Sequence, residues 1–439
     1  DADRQWIITA YALAFGSLLL LGGRLADYFG RKRTLIAGLL GFAGASAVGG
    51  LAPGFEVLVG ARALQGMFGA LLAPSALSTL TNTFTIPSER AKAFGVYGAL
   101  AGGGGAIGLL LGGVLTEYLD WRWTMFVNVA FAIPAAIGLI TLLVNDSRQG
   151  EMRVDIPGAV AASSGLFAIV FGFSRAESDG WTAAVTLSSL AIGVGLLALF
   201  VLIERRSAMP LLPARVVADR NRAGSYLAVG VAGASMFGVF LFLTYYLQQT
   251  LGMSPVETGL AFLPMIAFLM VGSISSSTRL MPRFGPRPLV PTGMVLAAAG
   301  MVWLTGVEVD SSYAGAVLPG LALVGAGFGL VIAPSMASAT LGVAASDSGV
   351  ASAMVNTSQQ VGGSVGTALL STISASAVTA FASGKVPSPE LAAQAAVHGY
   401  TTAFWVSAAM LMAGAVVTAV TLRSGAPQTD DGHGLAMAH

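Results

Sequence analysis

Long apolar runs alternate along the chain with short polar intervals. Thirteen of these runs are long enough to cross about 30 Å of hydrocarbon as helices of roughly 20 residues. Their cores are 6–21, 34–51, 57–80, 91–115, 124–144, 156–173, 185–203, 224–247, 259–276, 289–304, 314–333, 350–378 and 404–422. A helix satisfies its backbone hydrogen bonds within one segment, so the pattern predicts an all-α polytopic membrane protein. The polar interval 23–33 reads GRLADYFGRKR, and its glycines Gly23 and Gly30 are expected to give a tight backbone path between two closely spaced helices. A near copy, RLMPRFGPR, occupies 279–287: Arg24, Leu25, Phe29 and Gly30 recur as Arg279, Leu280, Phe284 and Gly285, and Lys32 is matched by Arg287.

A second echo fixes the repeat. Phe68, Gly69, Ala73, Pro74, Ser75 and Ser78 recur as Phe328, Gly329, Ala333, Pro334, Ser335 and Ser338. Matching runs lie eight apart and point the same way, which predicts two six-helix halves with two helices inserted between them. The expected organisation is a half-bundle over 1–144 showing five of its six helices, an inserted pair over 145–204 and a cytoplasmic linker over 205–222. A six-helix half-bundle over 223–423 and a disordered tail over 424–439 complete it. On this count a helix before Asp1 is expected. Pro210 and Pro213 suggest that the linker is a surface hinge.

Charge sets the orientation. Of the 22 basic residues, seventeen fall in alternate intervals: 24–33, 90–92, 148–153, 205–222, 279–287 and 423. Arg4, Arg122, Arg175 and Lys385 fall on the other side, so the larger set is expected to be cytoplasmic. The visible N-terminus is then outside and the C-terminus inside. The interval 336–349 belongs to the cytoplasmic set although it carries no Lys or Arg.

Composition narrows the chemistry. Only 10% of residues are charged, the net charge is +1 and the mean hydropathy is +0.78, so no nucleic-acid partner is suggested and the lipid bilayer is the expected surroundings. With 0 Cys and three His, two of them in the tail, neither thiol catalysis nor a zinc site is available, and no cofactor or metal is expected. An enzyme would need a nucleophile–base pair or a metal cluster at membrane depth, and these residues supply neither. Arg outnumbers Lys and Ala and Gly abound, a bias expected of a GC-rich bacterial genome.

Within the apolar runs a few residues stand out. Arg62 is an expensive charge inside the third run, with Gln65 and Gly66 following. It is expected either to face a cavity, binding substrate or a proton-carrying carboxylate, or to snorkel to the interface. Asp27 is expected to pair with basic neighbours or cap a helix end. Gly104, Gly108 and Gly112, with Gly113 adjacent, share a face on which another backbone is expected to approach, as a moving or a static contact. Asn128, Asn356, Gln359 and Gln360 are polar candidates for a cavity, and Tyr245 and Tyr246 are expected either to line an aromatic path or to sit in the interfacial belt.

These residues resemble the major facilitator superfamily, and more narrowly its 14-helix drug:proton antiporter branch, over essentially the whole chain. Gly23, Asp27, Gly30, Arg31 and Lys32 match the family's loop motif, with Tyr28 in place of a usual basic residue. Arg62, Gln65 and Gly66 match the motif whose arginine is associated with proton transfer. The run ending in Gly108, Gly112 and Gly113 resembles the antiport motif, with Leu109 at its customary proline. Trp6 and Tyr11 look like the start of the family's second helix.

The resemblance implies a functional monomer in a bacterial plasma membrane that exports lipophilic or amphipathic small molecules in exchange for protons. The rivals are a proton-coupled metabolite uptake carrier and a non-transporting sensor of the same fold. No GxxxxGKS loop is present to bind ATP.

Overall fold

The computed structural model describes residues 2–143, 155–207 and 210–423. Each of the thirteen apolar runs falls on helix. In chain order these are α1 (Ala2–Phe29), α2 (Arg31–Gly50), α3 (Phe55–Thr83), α4 (Pro87–Tyr118), α5 (Trp123–Leu142), α6 (Ile156–Asp179) and α7 (Ala184–Glu204). A short α8 (Ala214–Val217) precedes α9 (Arg220–Tyr245), α10 (Pro255–Ser275), a short α11 (Met281–Phe284), α12 (Pro286–Leu304), α13 (Leu318–Thr340), α14 (Ser348–Ala382) and α15 (Pro389–Thr421). Among the described residues twelve helical spans are long and apolar enough to cross a membrane, one fewer than the runs. The remaining run, 91–115, lies in α4, a glycine-rich helix of 32 residues.

Outward faces are apolar, as a bilayer requires. Ile133, Ile137 and Ile140 of α5, and Leu187, Ile192, Val194 and Leu199 of α7, are exposed. In water such faces would be a liability; against acyl chains they are matched.

The two sequence repeats pack alike. In the first, α3 is held between α1 and α2: a side chain at Gly22 would fall 2.0 Å from the Ala70 carbonyl, and one at Gly38 would fall 3.0 Å from the Leu72 nitrogen. In the second, α13 is held between α10 and α12, with Gly325 against the Met265 carbonyl and Gly327 against the Ala297 nitrogen. Backbone-to-backbone packing of this kind needs glycine.

The polar stretch 23–33 is not a loop between helices. Gly23 through Phe29 form the last turns of α1, and Gly30 alone, at φ 90°, links it to α2. Gly285, at φ 74°, does the same between α11 and α12. A β-carbon at positive φ clashes with the backbone, so glycine is the fitting residue at both turns. Gly23 has a different role, given below.

The inserted pair α6–α7 lies against α1 and α14. Leu20, Ala159, Ala162, Leu166, Phe200, Leu211 and Ala353 form one apolar cluster there. Leu211 belongs to the linker, and it is 1% exposed. The surface-hinge expectation is therefore corrected: Leu211, and Val216 one turn on, are anchored in apolar pockets that the prolines alone do not reveal. Asp155 caps α6, its carboxylate accepting from the Gly158 N–H at 2.9 Å. The expected tail 424–439 and the boundary near 144–145 lie outside the described residues.

Candidate functional site

At the Gly30 end of the bundle, the last turns of α1 meet the first turn of α14. The first N–H groups of a helix have no partner inside it and form the positive end of its dipole. Asp27 supplies the acceptors: Oδ1 takes the Gly349 N–H at 2.9 Å and Oδ2 the Val350 N–H at 3.3 Å. The approach is close because both helices present glycine. A side chain at Gly23 would fall 2.4 Å from the Gly349 carbonyl, and one at Gly349 would fall 2.2 Å from the Gly23 carbonyl.

Charges reinforce this junction. Arg24, almost buried, lies 3.6 Å from Asp347 and donates to the carbonyls of Ser346 and Pro210. Arg31 donates to the Ala345 carbonyl at 2.6 Å. Asp347 is 2% exposed and also accepts from Arg215, Nε at 2.7 Å and Nη2 at 3.2 Å. Asn82 of α3 donates to Ser348 Oγ at 2.9 Å. Lys32 turns away from the junction and donates to the carbonyls of Ile140 and Leu143, capping the end of α5. Of the loop-motif residues, Gly23 and Asp27 therefore meet α14, Arg31 meets the turn just before it, Gly30 makes the turn into α2, and Lys32 braces α5.

Arg62 forms a separate node. Its Nε donates to the Ile7 carbonyl at 3.1 Å, its Nη1 donates to Gln65 Oε1 at 2.8 Å, and its guanidinium lies over the Tyr11 ring, 4.6 Å from the centroid. Gln65 is fully buried and donates to Ser46 Oγ at 2.6 Å, and Ser46 donates to the Phe42 carbonyl. Three helices, α1, α2 and α3, are joined by this chain. The guanidinium points to α1, with its Nε and Nη1 paired.

A cleft of about 480 Å³ opens between α4, α9 and α14. Gln359 lines it with Phe237, Phe240, Thr244, Tyr245 and Gly105. No charged side chain is among its lining residues. The other polar candidates do not join it. Gln360 packs against α1, its Cγ 3.0 Å from where a side chain at Gly16 would begin. Asn128 and Asn356 donate within their own helices, to the carbonyls of Thr124 and Ser352. Tyr245 lines the cleft, and Tyr246 is fully buried with its hydroxyl donating to the Glu308 carbonyl at 2.7 Å. Tyr245 is exposed while Tyr246, just after α9, is enclosed by the second repeat.

The glycine face of α4 also departs from expectation. Nothing lies within 4 Å of a side chain placed at Gly104, Gly108 or Gly112. That face borders a second cleft of about 660 Å³, lined by Gly108, Gly112, Gly113, Thr116, Glu117, Ser254 and Pro255, at the end away from Gly30. Close packing falls instead to Gly113, where a side chain would begin 3.2 Å from Pro255, and to Gly259 of α10, where one would begin 2.7 Å from Leu110. Spacing by four placed the glycines on one face correctly, but it does not say whether a neighbour fills that face.

Sequence reasoning missed Asp347, Arg215 and Glu204. Asp347 had one available signal, a lone acid in an interval without Lys or Arg directly before an apolar run. The other two had none, since charged residues at helix ends near the interface are ordinary.

Comparison with known proteins follows the same lines. The sequence profile of the Major Facilitator Superfamily matches residues 2–367. The puromycin resistance protein pur8 of Streptomyces alboniger is 49% identical over 434 residues, 98% of this chain and 86% of that one. The cephamycin export protein CmcT of Amycolatopsis lactamdurans is 38% identical, covering 95% and 85%. The multidrug efflux pump LfrA of Mycolicibacterium smegmatis is 34% identical, covering 84% and 72%. Among solved structures, the crystal structure of the human organic anion transporter MFSD10 (TETRAN) superposes with a TM-score of 0.63 over 94% of this chain and 83% of that one; at 15% identity this is a likeness of fold.

Proposed function

The chain belongs to the Major Facilitator Superfamily, and on that premise we propose that it exports amphipathic small molecules, antibiotics among them, across the bacterial plasma membrane in exchange for protons. The observation that carries this reading is the neutral, aromatic-walled cleft between the two repeats, combined with a charge-locked junction at one end of the bundle. A lipophilic molecule stacks on Phe237, Phe240 and Tyr245 and finds hydrogen-bond partners in Gln359 and Thr244. The junction keeps the path shut on one side while the cleft faces the other.

The distribution of basic residues supports placing the Gly30 end in the cytoplasm. The structure is then the state with its cytoplasmic side closed. Turnover requires the Asp27–α14 and Arg24–Asp347 interactions to open, so that the cleft faces the cytoplasm and loads substrate. Arg62, held by Gln65 and stacked on Tyr11 within the first repeat, is the cation through which proton binding is felt. Two of the three relatives named above are called export or efflux proteins and the third a resistance protein, which supports outward flux over uptake. The protein acts as a monomer, with protons and the small molecule as its partners.

The test is accumulation of a lipophilic fluorescent dye, and survival in puromycin, in cells stripped of their own efflux pumps. Expression should lower dye content, a protonophore should restore it, and Arg62→Ala should behave like the empty vector. Unchanged accumulation across a panel of dyes and antibiotics would overturn drug export.

A further inference from the structure

The linker between α7 and α9 is tied into the cytoplasmic junction at five points. Glu204, the last residue of α7, accepts the N–H groups of Leu211 at 2.8 Å and Leu212 at 2.9 Å. Arg24 of α1 donates to the Pro210 carbonyl. Leu211 is buried among Leu20 of α1, Ala162 of α6, Phe200 of α7 and Ala353 of α14. Arg215 of α8 holds the Asp347 carboxylate with two nitrogens, and Val216 packs on Val350 and Ala351 of α14.

Asp347 therefore serves two arginines, one from the first repeat and one from the linker. The bond to Arg215 is the shorter, although Arg215 is 70% exposed and Arg24 only 10%. At the far end of the inserted pair, Trp181 donates to Thr372 Oγ1 of α14 at 2.9 Å. The pair is thus fastened to α14 at both ends and packed along α1, the two helices that meet at the junction.

We infer that Glu204 and Arg215 are positioning residues of the transport cycle: through the linker they make the inserted helix pair a strap that holds the cytoplasmic side closed. Glu204 fixes the linker so that Arg215 reaches Asp347 and Arg24 reaches Pro210. Loosening either contact lowers the stability of the closed-inside state relative to its alternative, without touching the substrate cleft. This inference rests on the alternating-access reading above.

The chain has 0 Cys, so a spin-label pair can be placed without background. Leu51→Cys and Val386→Cys put labels at exposed positions on opposite repeats, at the end away from Gly30. Distance distributions by pulsed electron paramagnetic resonance then report the two states in the full chain. Arg215→Ala and Glu204→Gln should each change the ratio of long to short distances by at least about threefold toward the short one. Arg215→Lys, which keeps the charge, should restore much of the ratio. In dye transport the maximal rate should change and the half-saturating concentration should stay within about twofold. Asp27→Asn separates the outcomes. If Asp27→Asn shifts the distances and the linker variants do not, the strap is wrong and the gate stands. If none of the variants shifts them, the gate reading falls and the strap with it. Lower thermal stability with unchanged distances would make the linker a passive tether, which also overturns the inference.

Discussion

Gly23 and Gly349 meet backbone to backbone, and neither position has room for a β-carbon in this state. Gly23→Ala should therefore disfavour the closed junction, where the added methyl would fall 2.4 Å from the Gly349 carbonyl. The expected result is a folded protein whose dye export falls at least about fivefold, with the shift toward the short spin-label distance described above. Export at the wild-type rate would show that the junction is not part of the cycle. Arg62→Ala removes the donors to Ile7 and Gln65 and leaves buried Gln65 short of a partner, which costs about 1–3 kcal/mol of stability. Arg62→Lys keeps the charge but cannot span both acceptors while stacking on Tyr11. Both variants should lose export, and a lysine variant with full activity would mean that charge alone suffices. At this scale the sequence was partly legible. A lone arginine in an apolar run announces itself by its cost, and so does an aspartate among arginines. That Gly23 makes a helix contact rather than a turn was not legible, because glycine serves both purposes and only the partner, more than three hundred residues away, decides between them.

Helices were the most legible level, since a bilayer leaves the backbone few alternatives and marks each span by an unbroken apolar run. The repeat was legible because Phe68, Gly69, Ala73, Pro74, Ser75 and Ser78 of α3 recur in α13, although the close-contact glycines lie on the neighbours of α3 (Gly22 and Gly38) and on α13 itself (Gly325 and Gly327). What a helix face touches was not legible. The α4 glycines illustrate this, for Gly108 faces open space while Gly98 of the same helix would put a side chain 2.6 Å from Ala333 of α13. Gly108→Ala should change the stability by no more than about 0.5 kcal/mol, and Gly98→Leu should cost several times more through overpacking. Thermal unfolding of the purified protein in detergent checks both. Equal losses would mean that the groove along Gly104, Gly108 and Gly112 is filled. The linker was misread for a similar reason, as two prolines suggest a loose turn and the adjacent leucines between them, Leu211 and Leu212, give no periodicity to contradict it.

The molecule as a whole places a neutral cleft and a charge-locked junction between two repeats, and the proposed cycle adds a second state in which the junction opens. Fold and family were legible in the sequence because the stretches 23–33 and 68–78 recur at 279–287 and 328–338, and because the residues around Asp27 and Arg62 match family motifs; the direction and energy source of transport were expectations drawn from resemblance. The most direct test is uphill transport by the purified full chain in liposomes, with internal pH and a lipophilic dye followed together. With the protein inserted inside-out and the lumen more acidic by about one unit, one proton exchanged per dye molecule supports up to about tenfold accumulation of an uncharged dye. The account predicts that dye concentrates inside, that its addition speeds proton efflux, and that Asp27→Asn and Arg62→Ala abolish both. Dye that equilibrates to the same level with and without the gradient, or proton flux indifferent to dye, would contradict it.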